Sequence, residues 1–547
     1  MSQTLPPETT SELPSPESVR RSSRRDDRPE QPAVRIRELI ALLLMVAVAD
    51  VTLFRGAGFA GHAAFLIAAP LLLAVGTARK SLKSGTLPIA LVLIGPMLAA
   101  LAVRLAWCGS WPGVTCGFVL LVCFAMTLNG RVPYLLHAAV FAAQTIPSGH
   151  RGLNHYFRSL SRIRLRLPQH GRLAVLLPAV ICSMFGLLFV LANPDLLASV
   201  SERLSFALTA ANRWLVEFSP NPMEVLFWFW TAWITVGLLR LEDKQKDVDA
   251  DYDYVEIESV ETRPAQLYEA YRNSLIVVIG LFAAYLVFEF QTLWFREFPA
   301  GFHYSGYAHK GAAWLTVALG LATLLLSVIF RRSILQDTRL PGLRRLAWLW
   351  SFENVLLAAA VYHRLSIYVG FNGMTRMRTI ALLGISSVLI GFVLVLWKIA
   401  RNRDFHWLIR RQLWTVAIAV YLYVLLPVDA WVMSYNVNRI LAGDPAPSVQ
   451  ISVHPTSAEG FLQLIPLAAS GNETIREGVR AILAQRHEDY YTHKWLRAGQ
   501  GWTAIQIAER QLIVQLGKAR EQWAKDGDHE LRSHAADRFH EYAYQWY

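Results

Sequence analysis

Residues 377–398 read MRTIALLGISSVLIGFVLVLWK. Charge stands only near the ends, at Arg378 and Lys398, and the stretch between them is uncharged. It shows none of the polar–apolar alternation of a half-buried strand, and its length matches the roughly 17–25 apolar residues that cross a bilayer as a helix. Hydrocarbon offers no partner to a backbone amide, so such a segment must satisfy its own hydrogen bonds as a helix. The same pattern recurs at 36–54, 57–78, 87–106, 112–128, 172–192, 222–239, 273–295, 308–330, 345–364 and 409–428. The expected fold is therefore all-α: a polytopic transmembrane helical bundle of about eleven spans with a small soluble C-terminal helical domain.

Composition agrees. Of 547 residues, 54% are hydrophobic and 17% charged, with a mean hydropathy of +0.31. Soluble domains carry about 25% charge. Four cysteines are too few for a disulfide-built secreted scaffold. Lys and Arg number 53 against 41 Asp and Glu, a net charge of +12. The excess lies between apolar runs, which points to a membrane and away from nucleic acid.

Four regions follow. Residues 1–35 form a polar, basic tail expected to be disordered. Its Arg20-Arg21 and Arg24-Arg25 pairs fit a twin-arginine signal or a cytoplasmic anchor. No small-residue cleavage site follows the first apolar stretch. Residues 36–171 hold the N-terminal membrane helices, and 172–441 the membrane core. Residues 442–547 are polar, with helical patterns at 475–485 and 502–524. Within the first group, 132–146 is bracketed by Pro133 and Pro147 and is short for a span, which suggests a re-entrant or interfacial segment. Basic residues keep to the cytoplasmic side. The tail, Arg79-Lys80, Arg131, the arginines of 151–172, Arg331-Arg332 and Arg401-Arg403 share one side only if 132–146 does not cross. The N-terminus is then cytoplasmic and the C-terminus outside. Residues 196–217 suggest an amphipathic helix on the outer surface or an ordinary connecting helix. The loop 241–271 is acidic. Asp247, Asp249, Asp251 and Glu258 have calcium-loop spacing, but Tyr252 occupies the sixth position, where Gly is needed, so a solvated linker is expected.

No P-loop, paired-His zinc helix, GxSxG elbow or CxxC pair occurs in the sequence. No metal or other cofactor is expected. Cys108 and Cys116 flank a short turn and are expected to be free thiols, with a disulfide as the alternative. The informative residues are polar ones where lipid makes them costly. Glu353 and Asn354 fall near the middle of span 345–364. A second set falls at the outer ends of the last spans: Glu289 and Gln291; His303, Tyr307, His309 and Lys310; His363, Arg364 and Tyr368; Thr375, Arg376 and Arg378; Asp429, Asn436, Asn438 and Arg439. Cations on the outer side run against the positive-inside bias. They imply an anionic ligand held by arginine, or an ion-pair lattice in which Glu289 and Asp429 neutralise Arg364 and Arg376. His303 and His309 lack a convincing third ligand and read as interfacial histidines.

These segments resemble an uncharacterised bacterial membrane family, the domain-of-unknown-function 4153/4173 proteins. Tyr307-Ala308-His309-Lys310-Gly311 is similar to its Tyr-Ala-Arg-Arg-Gly-like stretch. Tyr362-His363-Arg364 through Tyr368, followed by Gly373-Met374-Thr375-Arg376-Met377-Arg378, resembles its Tyr-x-Arg-x-x-x-Tyr and Gly-Leu-Thr-x-x-Arg signature. Asp429-Ala430 with Asn436 and Arg439 is similar to its last-span ending, and Asn193-Pro194 and Phe290-Gln291 also fit. The resemblance covers roughly residues 180–520. It departs at His309, where Arg is expected, and at Trp314, where an acid is expected. It implies a bacterial inner-membrane protein and brings no reaction.

Three functions are consistent with these residues. The first is a non-enzymatic envelope scaffold or sensor, whose partners are membrane lipids and an envelope protein met by the C-terminal domain. The second is a transporter or exporter with an outer-face cationic site. The third is a membrane-embedded transferase acting on a lipid-linked anionic substrate, for which Arg364→Ala removes activity at unchanged abundance. Charges paired in a closed lattice favour the first; an open cavity beside Arg364, Arg376 and Asp429 favours the others.

Overall fold

The computed structural model describes residues 34–77, 87–162, 220–240, 264–294, 304–330, 339–401, 405–492, 501–523 and 529–547, with a few isolated positions besides. Every regular element among them is helical. Helix α1 (Ile36–Ala49) runs on through one π-helical turn, Asp50–Phe54. Then follow α2 (Phe59–Gly76), α3 (Leu87–Cys108), α4 (Trp111–Leu128), α5 (Leu135–Arg162) and α6 (Pro222–Leu239). Next come α7 (Pro264–Glu289), α8 (Tyr304–Ile329), α9 (Leu340–Asn372), α10 (Arg376–Arg401) and α11 (Phe405–Leu425). The remaining helices are α12 (Val428–Leu441), α13 (Ser448–Val453), α14 (Ala458–Leu464), α15 (Glu473–Thr492), α16 (Ile507–Trp523) and α17 (His529–Tyr544).

Eight described helices are long and apolar enough to cross a membrane: α2, α3, α4, α6, α7, α9, α10 and α11. Expected span 36–54 is α1 plus its π-helical turn, and all of 308–330 but its last residue falls within α8. Segments 172–192 and 196–217, the tail through residue 33 and most of loop 241–271 lie outside the described residues. Leu71, Val92, Val103, Val277, Leu321 and Val393 are exposed on the long helices. An apolar outer surface of this kind suits hydrocarbon rather than water.

Local chemistry fixes several helix starts. Ser110 accepts from the Gly113 amide at 3.3 Å, ahead of Pro112. Asn221 and Glu224 form a reciprocal capping box at the start of α6. Polar joints mark two ends of the bundle. At one, near the start of α1, Arg240 donates to Glu38 at 2.7 Å and Tyr156 does so at 3.1 Å. At the other, Arg55 donates to Glu224 at 2.7 Å and Trp228 to Asp50 at 2.8 Å.

The segment 132–146, expected to be re-entrant or interfacial, does not turn back on itself. It leads into α5, one helix of 28 residues. Tyr134, just before α5, lies beneath the Arg410 guanidinium at 4.7 Å, while Tyr156 near its other end reaches Glu38. Both contacts belong to the same end of the bundle, so α5 lies across it. Pro147 does not end α5. It removes one backbone donor but sits inside the helix, and the adjoining Ile146 carbonyl accepts from Trp233 at 2.8 Å. Helix α5 crosses α6 closely: Gly149 and Gly152 face Trp233 and Val236, and Gly237 meets the Thr145 backbone.

The chain beyond α11 forms a helical layer over the opposite end. Its core joins Met433, Val437 and Ile440 of α12 to Leu467, Val479, Leu483, Leu512, Leu516 and Phe539. Trp107 and Cys108 at the end of α3 pack against the same cluster. The layer therefore shares its core with α12 and touches the membrane helices directly. The bundle has separate cores, one in α1–α5 around Leu66, Leu101 and Phe124, others in α7–α10 around Leu326, Trp350, Phe392, Leu357 and Val361.

Candidate functional site

The α9–α10 turn is the centre of the site. Helix α9 ends at Gly373, whose φ of +92° is a left-handed conformation suited to glycine. A Cβ there would come within 2.5 Å of Asn436 Oδ1. Asn436 is fully buried and grips the next residue twice: the Met374 amide donates to Oδ1 at 2.7 Å, and Nδ2 donates to the Met374 carbonyl at 2.9 Å. The last carbonyls of a helix lack internal donors and carry partial negative charge. Here Arg439 supplies donors to Val369 and Gly370 at 2.8 and 2.7 Å, and Arg378 donates to the Gly373 carbonyl. Arg378 also donates to Asn372 Oδ1 at 2.6 Å and stacks 3.6 Å above the Tyr368 ring. Thr375 receives the Arg378 amide at 3.2 Å and so caps α10.

Two of the anticipated charge pairs form. Arg364 Nε and Nη2 each meet Glu289 at 2.6 Å, with both side chains buried, and Tyr285 adds a hydrogen bond at 2.9 Å. Arg376 pairs with Asp429 through Nε and Nη2. The Ser457 amide donates to Asp429 at 3.0 Å. Burial alone raises a carboxyl pKa, but the hydrogen bonds from Arg376 and Ser457 outweigh it and hold Asp429 below the usual carboxylate range. At His454, burial first and then the nearby charges of Arg378 and Arg376 push the imidazole pKa down.

Tyr368, Thr375, Arg376 and Asp429 line one cavity of about 250 Å³, together with Arg378, His454 and Thr456 among others. Asn436 and Arg439 brace its wall from α12. Glu289 and Arg364 form a closed pair apart from it, and Gln291 is exposed just after α7. Glu353 stands eleven residues before Arg364, about 16 Å along a helix at 1.5 Å per residue. It is buried, and its Oε2 has no hydrogen bond among the described residues. Tyr307, His309 and Lys310 fall on α8, but their side chains lie outside the described residues, as does His303. Cys108 and Cys116 are free. Among the described residues, no group of three His, Cys, Asp or Glu is placed to hold a metal ion.

The expected set omitted the residues that tie the layer down. Arg104 of α3 makes two bonds to Glu459 at the start of α14, at 2.8 and 2.6 Å. Gln506 bridges the Gly109 amide and the Leu105 carbonyl at 2.5 and 3.2 Å. Arg104 carries a legible signal, because an arginine within span 87–106 is costly without a partner. Glu459, Gln506 and His454 carry none, since polar residues in a polar segment are unremarkable.

These features define an all-helical polytopic membrane protein with arginine-built joints at the end where its C-terminal helices sit. A family model described as a domain of unknown function (DUF4153) matches residues 39–454. The chain belongs to that family. The match begins in α1 and ends at His454, so it reaches further toward the N-terminus than the residue motifs suggest and stops short of α14–α17. No curated protein and no solved structure matches the chain.

Proposed function

We propose that this protein is a non-enzymatic scaffold or sensor of a bacterial inner membrane, with a cytoplasmic N-terminus and its C-terminal helical layer on the outer face. The observation that carries this reading is the use of the polar side chains. Glu289, Arg364, Asn436, Arg439, Arg104 and Glu459 are engaged in joints that brace helix ends or fasten the layer to the bundle. A layer held at α3, α10 and α12 moves with the bundle, which suits a part that presents a surface to an envelope protein partner. The arginine-rich end of the bundle, with Arg131, Arg151, Arg339 and Arg410, fits the cytoplasmic side. A transporter or a transferase on a lipid-linked anion is the second reading, favoured by the cavity beside Arg376.

The test uses Arg104 and Glu459. Arg104→Glu and Glu459→Arg each place like charges together, and the double exchange restores the pair. Protease access to the 501–506 segment is measured in membranes, alongside rescue of a deletion strain's lipid and metabolite profile. The scaffold reading expects exposure and loss of rescue in both single variants and recovery of both in the exchange. Full rescue by a variant whose layer has come loose overturns it.

A further inference from the structure

The cavity at the α9–α10 turn holds an imbalance of charge. Arg376, Arg378 and Arg439 gather there against Asp429 and Asp444. Arg376 and Arg439 have their carboxylates. Arg378 has none among the described residues: its partners are an amide oxygen, a carbonyl and the face of Tyr368. Its residue exposure is 3%, and its Nε makes no hydrogen bond. A buried cation without a counter-charge is costly, and a bound anion removes that cost.

Three further features face the same space. Arg376 uses Nε and Nη2 on Asp429, and its Nη1 makes no hydrogen bond among the described residues. Its side chain is 43% exposed, so that nitrogen is open to a ligand. Residues 375–378 are the first turn of α10, whose leading amides carry partial positive charge. His454 adds a ring nitrogen that can donate. Planar guanidinium, the partial positive charge of a helix start and an imidazole together suit a tetrahedral oxyanion. The lining also carries apolar side chains, with Met377 68% exposed and Val432 and Met433 buried. An exposed thioether there suits contact with acyl chains below a headgroup.

We propose that the cavity between α9, α10, α12 and the 450–456 segment binds a phosphate group, either the headgroup phosphate of an anionic lipid or free phosphate. The site deepens the sensor part of the function proposed above and fails independently of it, because a chain that binds no anion still keeps its layer docked through Arg104 and Glu459.

The experiment uses the full chain. It is reconstituted in nanodiscs of phosphatidylglycerol or phosphatidylcholine, and lipid retained on gentle detergent release is read by native mass spectrometry. Inorganic phosphate is titrated separately by calorimetry. Arg378→Gln removes the buried cation but also loosens the α9 cap. His454→Glu is therefore the deciding variant, because His454 is exposed and takes part in none of the helix joints. Arg486→Gln, whose guanidinium meets Glu509 and the Phe461 ring within the layer and does not line the cavity, is the control. We expect His454→Glu to weaken binding about tenfold or more, the scale of one charge-assisted hydrogen bond turned repulsive. Preferential retention of phosphatidylglycerol, lost in His454→Glu, identifies a lipid headgroup. Binding of inorganic phosphate without lipid preference, again lost in the variant, identifies the free anion. Absence of both, or equal binding by native chain and His454→Glu, overturns the proposal.

Discussion

Arg364 lies alongside Glu289 with two parallel hydrogen bonds of 2.6 Å, and neither side chain is open to solvent. The pair joins α9 to α7 within the bundle. Removing one member of a buried pair leaves the other charge desolvated, at about 3–5 kcal/mol. Arg364→Ala is therefore expected to lower both the melting temperature of the purified chain and its abundance in membranes. Arg364→Met with Glu289→Leu should recover much of the loss, because apolar residues of similar volume replace buried pairs well. A single variant with native melting and abundance contradicts the structural role and restores the transferase expectation for Arg364.

Helices α5 and α6 approach closely because Gly237 has no side chain to hold them apart. A Cβ there overlaps the backbone carbonyl of Thr145, which cannot rotate away. Gly237→Ala should cost about 1–3 kcal/mol, the usual range for an overfilled contact. Gly280, in a long helix with nothing within 4 Å of its added Cβ, is the control position. Thermal melting of both variants checks this. Equal melting shows that the crossing relaxes at no cost.

Much of this architecture was legible because hydrocarbon is a strict solvent. Continuous apolar runs such as 377–398 announced helices, and α10 covers that run. The pairing of Glu289 with Arg364 and of Asp429 with Arg376 was legible too, since charges at one membrane depth have few other partners. The continuation of the 132–146 helix past Pro147 was not. Proline ends most helices in water, yet Pro147 is carried inside α5 because α6 supplies contacts to the surrounding turn. The cavity was equally hidden. It depends on residues 450–456 folding back over the α9–α10 turn, and no periodicity records a fold-back of that kind. The mid-span place of Glu353, apart from the outer set, was legible from its position in 345–364, and the rise of α9 keeps it turns away from Arg364.

The ends of the bundle give a prediction about sidedness. Tyr134 and Tyr156 contact groups at one end, so α5 does not change sides between them. Cysteines placed at Arg151 and Arg158, both exposed on α5, should react with a membrane-impermeant maleimide only after the membrane is opened. One placed at Arg538, exposed on α17, should react in intact spheroplasts. Labelling of positions 151 and 538 from the same side rejects the proposed orientation of the layer.

Acid should loosen the layer before it unfolds the bundle. Asp429 has its pKa held below the reference value of 3.8, chiefly by Arg376 and Ser457 acting against burial. A depressed carboxyl stabilises the fold fully above its unfolded pKa. That stability is lost as pH falls through the lower folded value. His454 is also depressed, by burial and two arginines, from a reference of 6.5. Its neutral form favours the folded state, so its contribution is complete above about 6.5 and declines as pH drops through the folded value. Its exposure keeps that contribution small. Protease access to residues 501–506 should therefore stay flat from pH 8 to about 6.5, rise slightly below that, and rise steeply only under pH 4. In His454→Gln the middle phase should vanish while the steep acid phase remains. In Asp429→Asn the layer should be loosened already at pH 7, with the acid phase reduced. A steep phase unchanged in Asp429→Asn assigns the acid sensitivity to another carboxylate and removes Asp429 from the joint.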